Sequence, residues 1–180
     1  MIKIDSVHLG AADRDLIKRF CYFSLNILVP TDKQHLIKKT TIIIRLVKRG
    51  EKVKGESYVI GPKAKAWCST HKASKGRKKF VIVMNVANIN KRAKVDYIRL
   101  KKLLFDLAHE ITHVKQYMTN ELFDYANGDV RYRKEVFTIE NANSDREYYD
   151  SPWEIEAFGR EWGLFKMFKK SLLKERKGKT

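Results

Sequence analysis

Two histidines four residues apart, His109 and His113, enclose Glu110 in the run His109-Glu110-Ile111-Thr112-His113. On a helix, side chains at this spacing project from one face. Both rings can then reach one ion at about 2.0–2.1 Å. Glu110 lies beside that face, within reach of a water on the ion. Zinc brings the pKa of such a water to about 7, and a nearby carboxylate can take its proton and pass it on. The run therefore has the H-E-x-x-H form of metal-assisted hydrolysis. The expected cofactor is one zinc ion per chain, held by His109 and His113, with Glu110 as catalytic base. Two imidazoles and a carboxylate suit zinc better than the harder divalent cations. The chain has only five histidines and places two of them here.

A catalytic zinc needs a third protein ligand and keeps a fourth position open. The run Pro152-Trp153-Glu154-Ile155-Glu156-Ala157 offers two acids. Two residues apart on a helix, they point roughly 200° away from each other, so only one can be the ligand. Glu156 is the expected one, because it shares its face with Gly159 and Gly163, whose missing side chains would let that face approach the histidine helix. Glu154, on a bulkier face with Ala157, Phe158 and Glu161, is the alternative ligand, or a carboxylate that orients a histidine. Asp124, Asp129 and Asp145 are weaker candidates. A donor for a developing oxyanion is expected from Tyr, His or Arg. Tyr149, just before the ligand helix, ranks first, ahead of Tyr148, Arg146 and His71.

These side chains require two helices. Residues 95–117 carry Leu100, Leu103, Leu104, Leu107, Ile111, Val114 and Met118 as one apolar stripe, which predicts the histidine helix. Ser151 and Pro152 start a last helix, as cap and first helical residue, that runs to about residue 173. Residues 13–28 have helical spacing and end before Pro30. Strands are expected at 40–47, 57–60, 64–69 and 79–86, with turns at Gly61-Pro62 and around Lys75-Gly76-Arg77. Residues 120–150 read as an irregular insert with a short hairpin within 130–139. The order predicts an α+β fold with helices on a small mixed or antiparallel sheet.

The histidine run followed by the Pro152-Trp153-Glu154-Ile155-Glu156-Ala157 helix resembles the gluzincin branch of zinc metallopeptidases. More narrowly, it is similar to small phage-encoded metallopeptidase-like proteins that pair the two motifs. The resemblance spans about residues 80–163. It implies a minimal zincin fold with a short twisted sheet over the motif helix, and peptide-bond hydrolysis. It also implies that the strand at 80–86 is the sheet edge along which an extended peptide substrate lies. The separation of His113 from Glu156 exceeds that in compact gluzincins. No third motif histidine or Met-turn is present, which sets the chain apart from metzincins.

The 180 residues suggest a single domain over 1–173 with a basic tail at 174–180. No apolar run is long enough for a membrane span, and the N-terminus lacks a secretory h-region, which predicts a cytoplasmic location, the host's if phage-encoded. Cys21 and Cys68 are too few for a disulfide scaffold and read as reduced thiols. The net charge of +17 predicts attraction to polyanions. Residues 61–83 hold seven Lys or Arg and no acid, interleaved with Trp67, His71 and Phe80. From Lys166 onward the cations face the single acid Glu175. Nucleic acid, bound without sequence preference, is the expected partner of this surface. Phe158, Trp162, Phe165 and Phe168, at helical spacing, read as core. Two functions follow: a zinc peptidase, or a basic nucleic-acid-associated protein whose zinc site is structural or inactive.

Overall fold

A computed structural model describes residues 1–48, 66–72, 78–138 and 145–178. The expected strand at 57–60, both expected turns and residues 61–65 and 73–77 of the basic segment at 61–83 fall outside the described residues. So do the side chains of Trp67, His71, Asp145 and Arg146.

The chain begins with β1 (Ile2–Asp5), α1 (Ala11–Leu28) and the single-turn α2 (His35–Lys38). Next come β2 (Thr40–Val47), β3 (Ala66–Lys72) and β4 (Lys78–Asn85). The short α3 (Asp96–Arg99) leads into α4 (Lys101–Met118). The insert contains β5 (Leu122–Asp124), β6 (Val130–Tyr132), β7 (Glu135–Phe137) and α5 (Asp145–Asp150), and α6 (Pro152–Lys177) ends the described fold. The α+β expectation holds. Several elements differ from expectation: β1, α2 and β5 were not foreseen, and β3 extends to Lys72 beyond the expected end at residue 69. The expected helix at 95–117 breaks at Leu100 into α3 and α4. The insert contains the additional helix α5. The last helix continues through the basic tail to Lys177 instead of ending near residue 173, as its strong helix formers Leu, Lys, Glu and Arg allow.

The main sheet has the order β1-β2-β4-β3. β1, β2 and β4 are parallel, and β3 joins β4 antiparallel. β4 is therefore an interior strand, paired on both sides, and not the expected edge. Among the described strands the edge beside β4 is β3. The family resemblance implies an edge at β4, the strand just before the motif helix, but the antiparallel addition of β3 covers it.

Side chains alternate across the sheet. Ile42, Ile44 and Leu46 stand opposite Phe80, Ile82 and Met84 on the face that meets the helices. α4 covers that face with six residues of the expected stripe, and Leu100 just before the helix supplies the seventh; no member exceeds 1% exposure. α1 adds Ile17, Phe20, Cys21 and Leu25, and α6 adds Leu164, Phe165, Phe168 and Leu172. The Phe168 ring meets Phe20 edge-on at 5.1 Å and Phe23 at 5.4 Å. Phe165 and Phe168 are thus core, as expected, whereas Phe158 and Trp162 are 41% and 52% exposed.

α4 stops at a Schellman motif. Asn120 takes a left-handed φ of 60°, the Glu121 amide bonds to the Gln116 carbonyl at 2.8 Å, and the Asn120 amide bonds to the Tyr117 carbonyl. Lys78, at the start of β4, donates to the Tyr117 and Met118 carbonyls and locks sheet to helix. α6 starts at Pro152 with Ser151 at the cap position, although the Ser151 side chain makes no capping hydrogen bond. Trp153 instead fixes its entry, buried with Leu122, Val130 and Tyr132 of the small sheet.

α4 and α6 meet along a face on which Ala157 is fully buried between Glu154 and Glu161. Ala157→Leu would overpack this contact and is expected to cost about 1–3 kcal/mol. Because it also separates the helices that carry the acids and the histidines, it should weaken zinc uptake, measured by urea unfolding with and without metal. Unchanged metal affinity would show that the site does not depend on this close approach.

Candidate metal centre

α4 delivers His109 and His113 to the face turned toward α6, at 7% and 8% exposure. Their Nε2 atoms lie 3.0 Å apart. From the first turn of α6, Glu154 brings Oε2 to 3.1 Å of His109 Nε2 and Oε1 to 3.2 Å of His113 Nε2. These three buried residues form a group that could hold a metal ion. The structure thus moves the third position from Glu156 to Glu154.

Glu156 points elsewhere. It accepts from Gln116 Nε2 at 3.0 Å, from the Tyr132 hydroxyl at 2.8 Å and from Lys115 Nζ at 3.1 Å. The expectation failed because the glycines do not mark the packed face. A Cβ added at Gly159 or Gly163 would meet nothing within 4 Å, so both look into open space. The bulkier face is the one that packs, with the Phe158 ring 4.5 Å from the His109 ring. Asp124 accepts from the Tyr117 hydroxyl and Asp129 from Asn127, both outside the cluster.

The outer ring nitrogens fix what the inner ones can do. His109 Nδ1 lies 3.1 Å from a Glu161 carboxylate oxygen, which only accepts, so Nδ1 carries a proton. His113 Nδ1 lies 2.9 Å from Gln116 Oε1. The Gln116 amide is oriented by its nitrogen, which donates to the Trp153 carbonyl and Glu156, so its oxygen faces the ring and that Nδ1 is also a donor. In the neutral rings both Nε2 atoms are then lone pairs, aimed at each other and at a carboxylate. With both rings neutral, the buried Glu154 Oε2 has no hydrogen-bond donor. Three acceptors converge, and a cation between them resolves the conflict. Ligands about 2.0–2.1 Å from one tetrahedral ion stand roughly 3.3 Å apart, close to the separations found here. The residues fit a zinc ion.

Without metal, protons must serve. Burial acts to lower the His109 pKa, but hydrogen bonds to Glu154 and Glu161 outweigh it and raise the pKa from 6.5 to about 9. Burial opposes ionisation of Glu154, yet the two imidazoles hold its carboxyl down at about 2. Burial pushes Glu110 up to about 7, offset in part by the two histidines. Glu156 is held at about 2, against burial, by Gln116, Tyr132 and Lys115.

Glu110, His113 and Glu154 line one wall of a cleft of about 180 Å³. Cys68 and Ala66 of the edge strand β3, with Tyr117, Leu122, Trp153 and Tyr148, complete it. Of the adjacent pair, Tyr148 and not Tyr149 lines this cleft. Burial and a hydrogen bond to Glu154 push its hydroxyl pKa up. Tyr149 is 55% exposed and stacks on Phe158 and Tyr148 instead. Two orienting residues, Glu161 and Gln116, were not singled out as functional in the sequence. The available signal was spacing, since Glu161 lies two turns beyond Glu154 and Gln116 one turn beyond His113.

Glu154→Gln is expected to abolish stoichiometric zinc retention, whereas Glu156→Gln should bind with about 10–100-fold lower affinity, as loss of an orienting contact does. Metal analysis after dialysis checks both, and the reverse order would return Glu156 to the ligand set. A second expectation concerns pH. His109 is raised above its unfolded value, so its contribution to the metal-free fold is complete below pH 6.5 and is lost as pH rises through about 9. Glu110 acts in the same sense, from 4.5 through about 7. Zinc must displace the His109 proton below pH 9, so the zinc-induced rise in Tm at fixed free zinc should grow between pH 6.5 and 9. Equal increments at both ends would remove the proton–metal exchange.

Comparison with protein-family models, curated proteins and solved structures found no match.

Proposed function

We propose that the chain is a zinc-dependent hydrolase of peptide bonds. His109, His113 and Glu154 would hold the ion, and Glu110 would act as general base and then general acid. The observation that carries this is the convergence of three buried acceptors beside a cleft that also holds a second carboxylate, Glu110. Zinc, when bound, supplies an acidified water and polarises a substrate carbonyl. Glu110 sits in the same cleft wall as His113 and Glu154. Its carboxyl, raised toward neutrality by burial, suits a group that must accept a proton and return it to the leaving amine. Tyr148 offers a hydroxyl donor for the charge that develops on the carbonyl oxygen. β3 lies along the cleft through Ala66 and Cys68, so a substrate strand would pair there and not on β4.

The resemblance to gluzincins supports the same reading, with two adjustments: Glu154 takes the place of Glu156, and Tyr148 that of Tyr149. The alternative, a structural zinc in a nucleic-acid-associated protein, fits less well. Structural zinc sites are closed by four protein ligands, and among the described residues the cluster has three. No helix of the described residues is long and apolar enough to cross a membrane.

Glu110→Gln preserves the size of the side chain and removes its basicity. It is expected to retain one zinc per chain and to lose cleavage of a casein or peptide-library substrate by about 10²-fold or more. Full cleavage by that variant would eliminate the mechanism.

A further inference from the structure

α6 continues well past the metal site, and its outer flank changes character there. Phe158, Trp162, Lys166 and Lys169 follow at steps of four, four and three, which places them along one side of the helix. The row begins at the centre, where the Phe158 ring touches His109. Trp162 is 52% exposed, with its ring 5.3 Å from that of Phe105. Lys166 Nζ lies over the same ring at 4.5 Å and Lys101 Nζ, from the start of α4, at 5.7 Å. Lys169 Nζ lies 5.5 Å from the centre of the Tyr97 ring.

The neighbouring acids are engaged elsewhere. Glu161 holds His109, Glu175 pairs with Arg19, and Asp96 pairs with Arg99. Among the described residues Lys101, Lys166, Lys169 and Lys170 make no ion pair. The flank therefore carries concentrated positive charge around a large, half-exposed ring, on a chain of net charge +17.

We propose that this flank binds single-stranded nucleic acid, with phosphates on Lys101, Lys166 and Lys169 and a base stacked on Trp162. A lysine resting on the ring can swing outward to a phosphate and leave the ring face to a base. An unpaired strand is required, because a base inside a duplex offers no free face for stacking. A lipid surface fits less well: a membrane-lying helix presents its apolar face outward, and the apolar face of α6 is spent in the core on Leu164, Phe165, Phe168 and Leu172. Contacts confined to backbone and stacking give binding without sequence preference. The strand would end at Phe158, against the His109 ring, so the cleaved substrate would be a protein carried on nucleic acid. That last consequence rests on the hydrolytic reading, and the binding does not.

The test is fluorescence anisotropy of a labelled oligodeoxythymidylate titrated with the zinc-loaded full chain over a salt series. Wild type should bind, and log K should fall linearly with log salt. The double variant Lys166→Gln/Lys169→Gln should bind at least about tenfold more weakly at low salt, with a slope shallower by roughly 1.4, or 0.7 for each lost contact. Trp162→Leu should weaken binding without changing the slope, and bound oligonucleotide should quench less tryptophan fluorescence than in wild type. Lys166 is exposed and Lys169 is half-buried, and neither makes an ion pair among the described residues, so the double variant should melt close to the wild-type temperature. Wild-type affinity in the lysine variant, no binding by wild type at low salt, or preferential capture by phosphatidylglycerol vesicles would each overturn the proposal. None of these readouts depends on peptide cleavage, so a failure of the hydrolytic reading is separately visible.

Discussion

Two helices held together by apolar packing force three electron-rich groups together, with separations of 3.0, 3.1 and 3.2 Å between the nearest atoms of each pair. That forced meeting is the constraint from which the site follows. Left to themselves, His109, His113 and Glu154 would separate, since each offers a lone pair to the other two. They cannot, because α4 is buried along its length by the sheet and by α1, and α6 is anchored by Leu164, Phe165, Phe168 and Leu172. Each such side chain contributes about 1.5–3 kcal/mol on burial. Their sum far exceeds the repulsion among three polar atoms, so the core can keep an unfavourable cluster poised for a cation.

Packing sets the distance between the helices, but polar contacts set the direction of each ligand. Gln116 is central to this. Its one amide touches His113 on α4 and both the Trp153 carbonyl and Glu156 on α6. Glu156 in turn receives Tyr132 from β6, so the small sheet of the insert is tied to the metal-facing ring through two side chains. Trp153, buried against the same sheet, fixes the rotation of the first turn of α6. The insert thus decides which of the two glutamates faces the histidines.

This explains how far the sequence could lead. The histidine helix was legible because its stripe, from Leu100 to Met118, and its offset His109/His113 face obey one period. The first helix, β2 and β4 were legible for similar reasons. The choice between Glu154 and Glu156 was not, because periodicity says only that they diverge. Phase depends on Trp153 and Tyr132, which come together across more than twenty residues of insert. The glycine argument failed for the same reason: Gly159 and Gly163 are permissive of close packing but do not demand it. Strand order was also hidden. β3 and β4 are neighbours in sequence and in space, yet nothing local indicates that β3 lies outermost or that β2 pairs on the other side of β4. Tyr148 and Tyr149 are adjacent, and only the placement of α5 separates a cleft residue from a surface one.

The distribution of charge joins the interior of the molecule to its surface. A chain with 38 basic and 21 acidic residues repels cations at long range. A metal site in such a protein must be negative locally, and it is: Glu110, Glu154, Glu156 and Glu161 all lie on or next to the two helices at the centre. Lys115, at 6% exposure, is held there by Glu121 and Glu156 and leaves Glu110 and Glu154 to the cleft. Two buried carboxylates in a site of low polarity cannot both remain charged without compensation. In the metal-free protein the compensation is protonic, which is why His109 is raised to about 9 and Glu110 to about 7. A dication carries the same two units of charge as those two protons. Exchanging those protons for such an ion would leave the cleft close to neutral and Glu110 in its basic form, the state that the proposed role as general base requires.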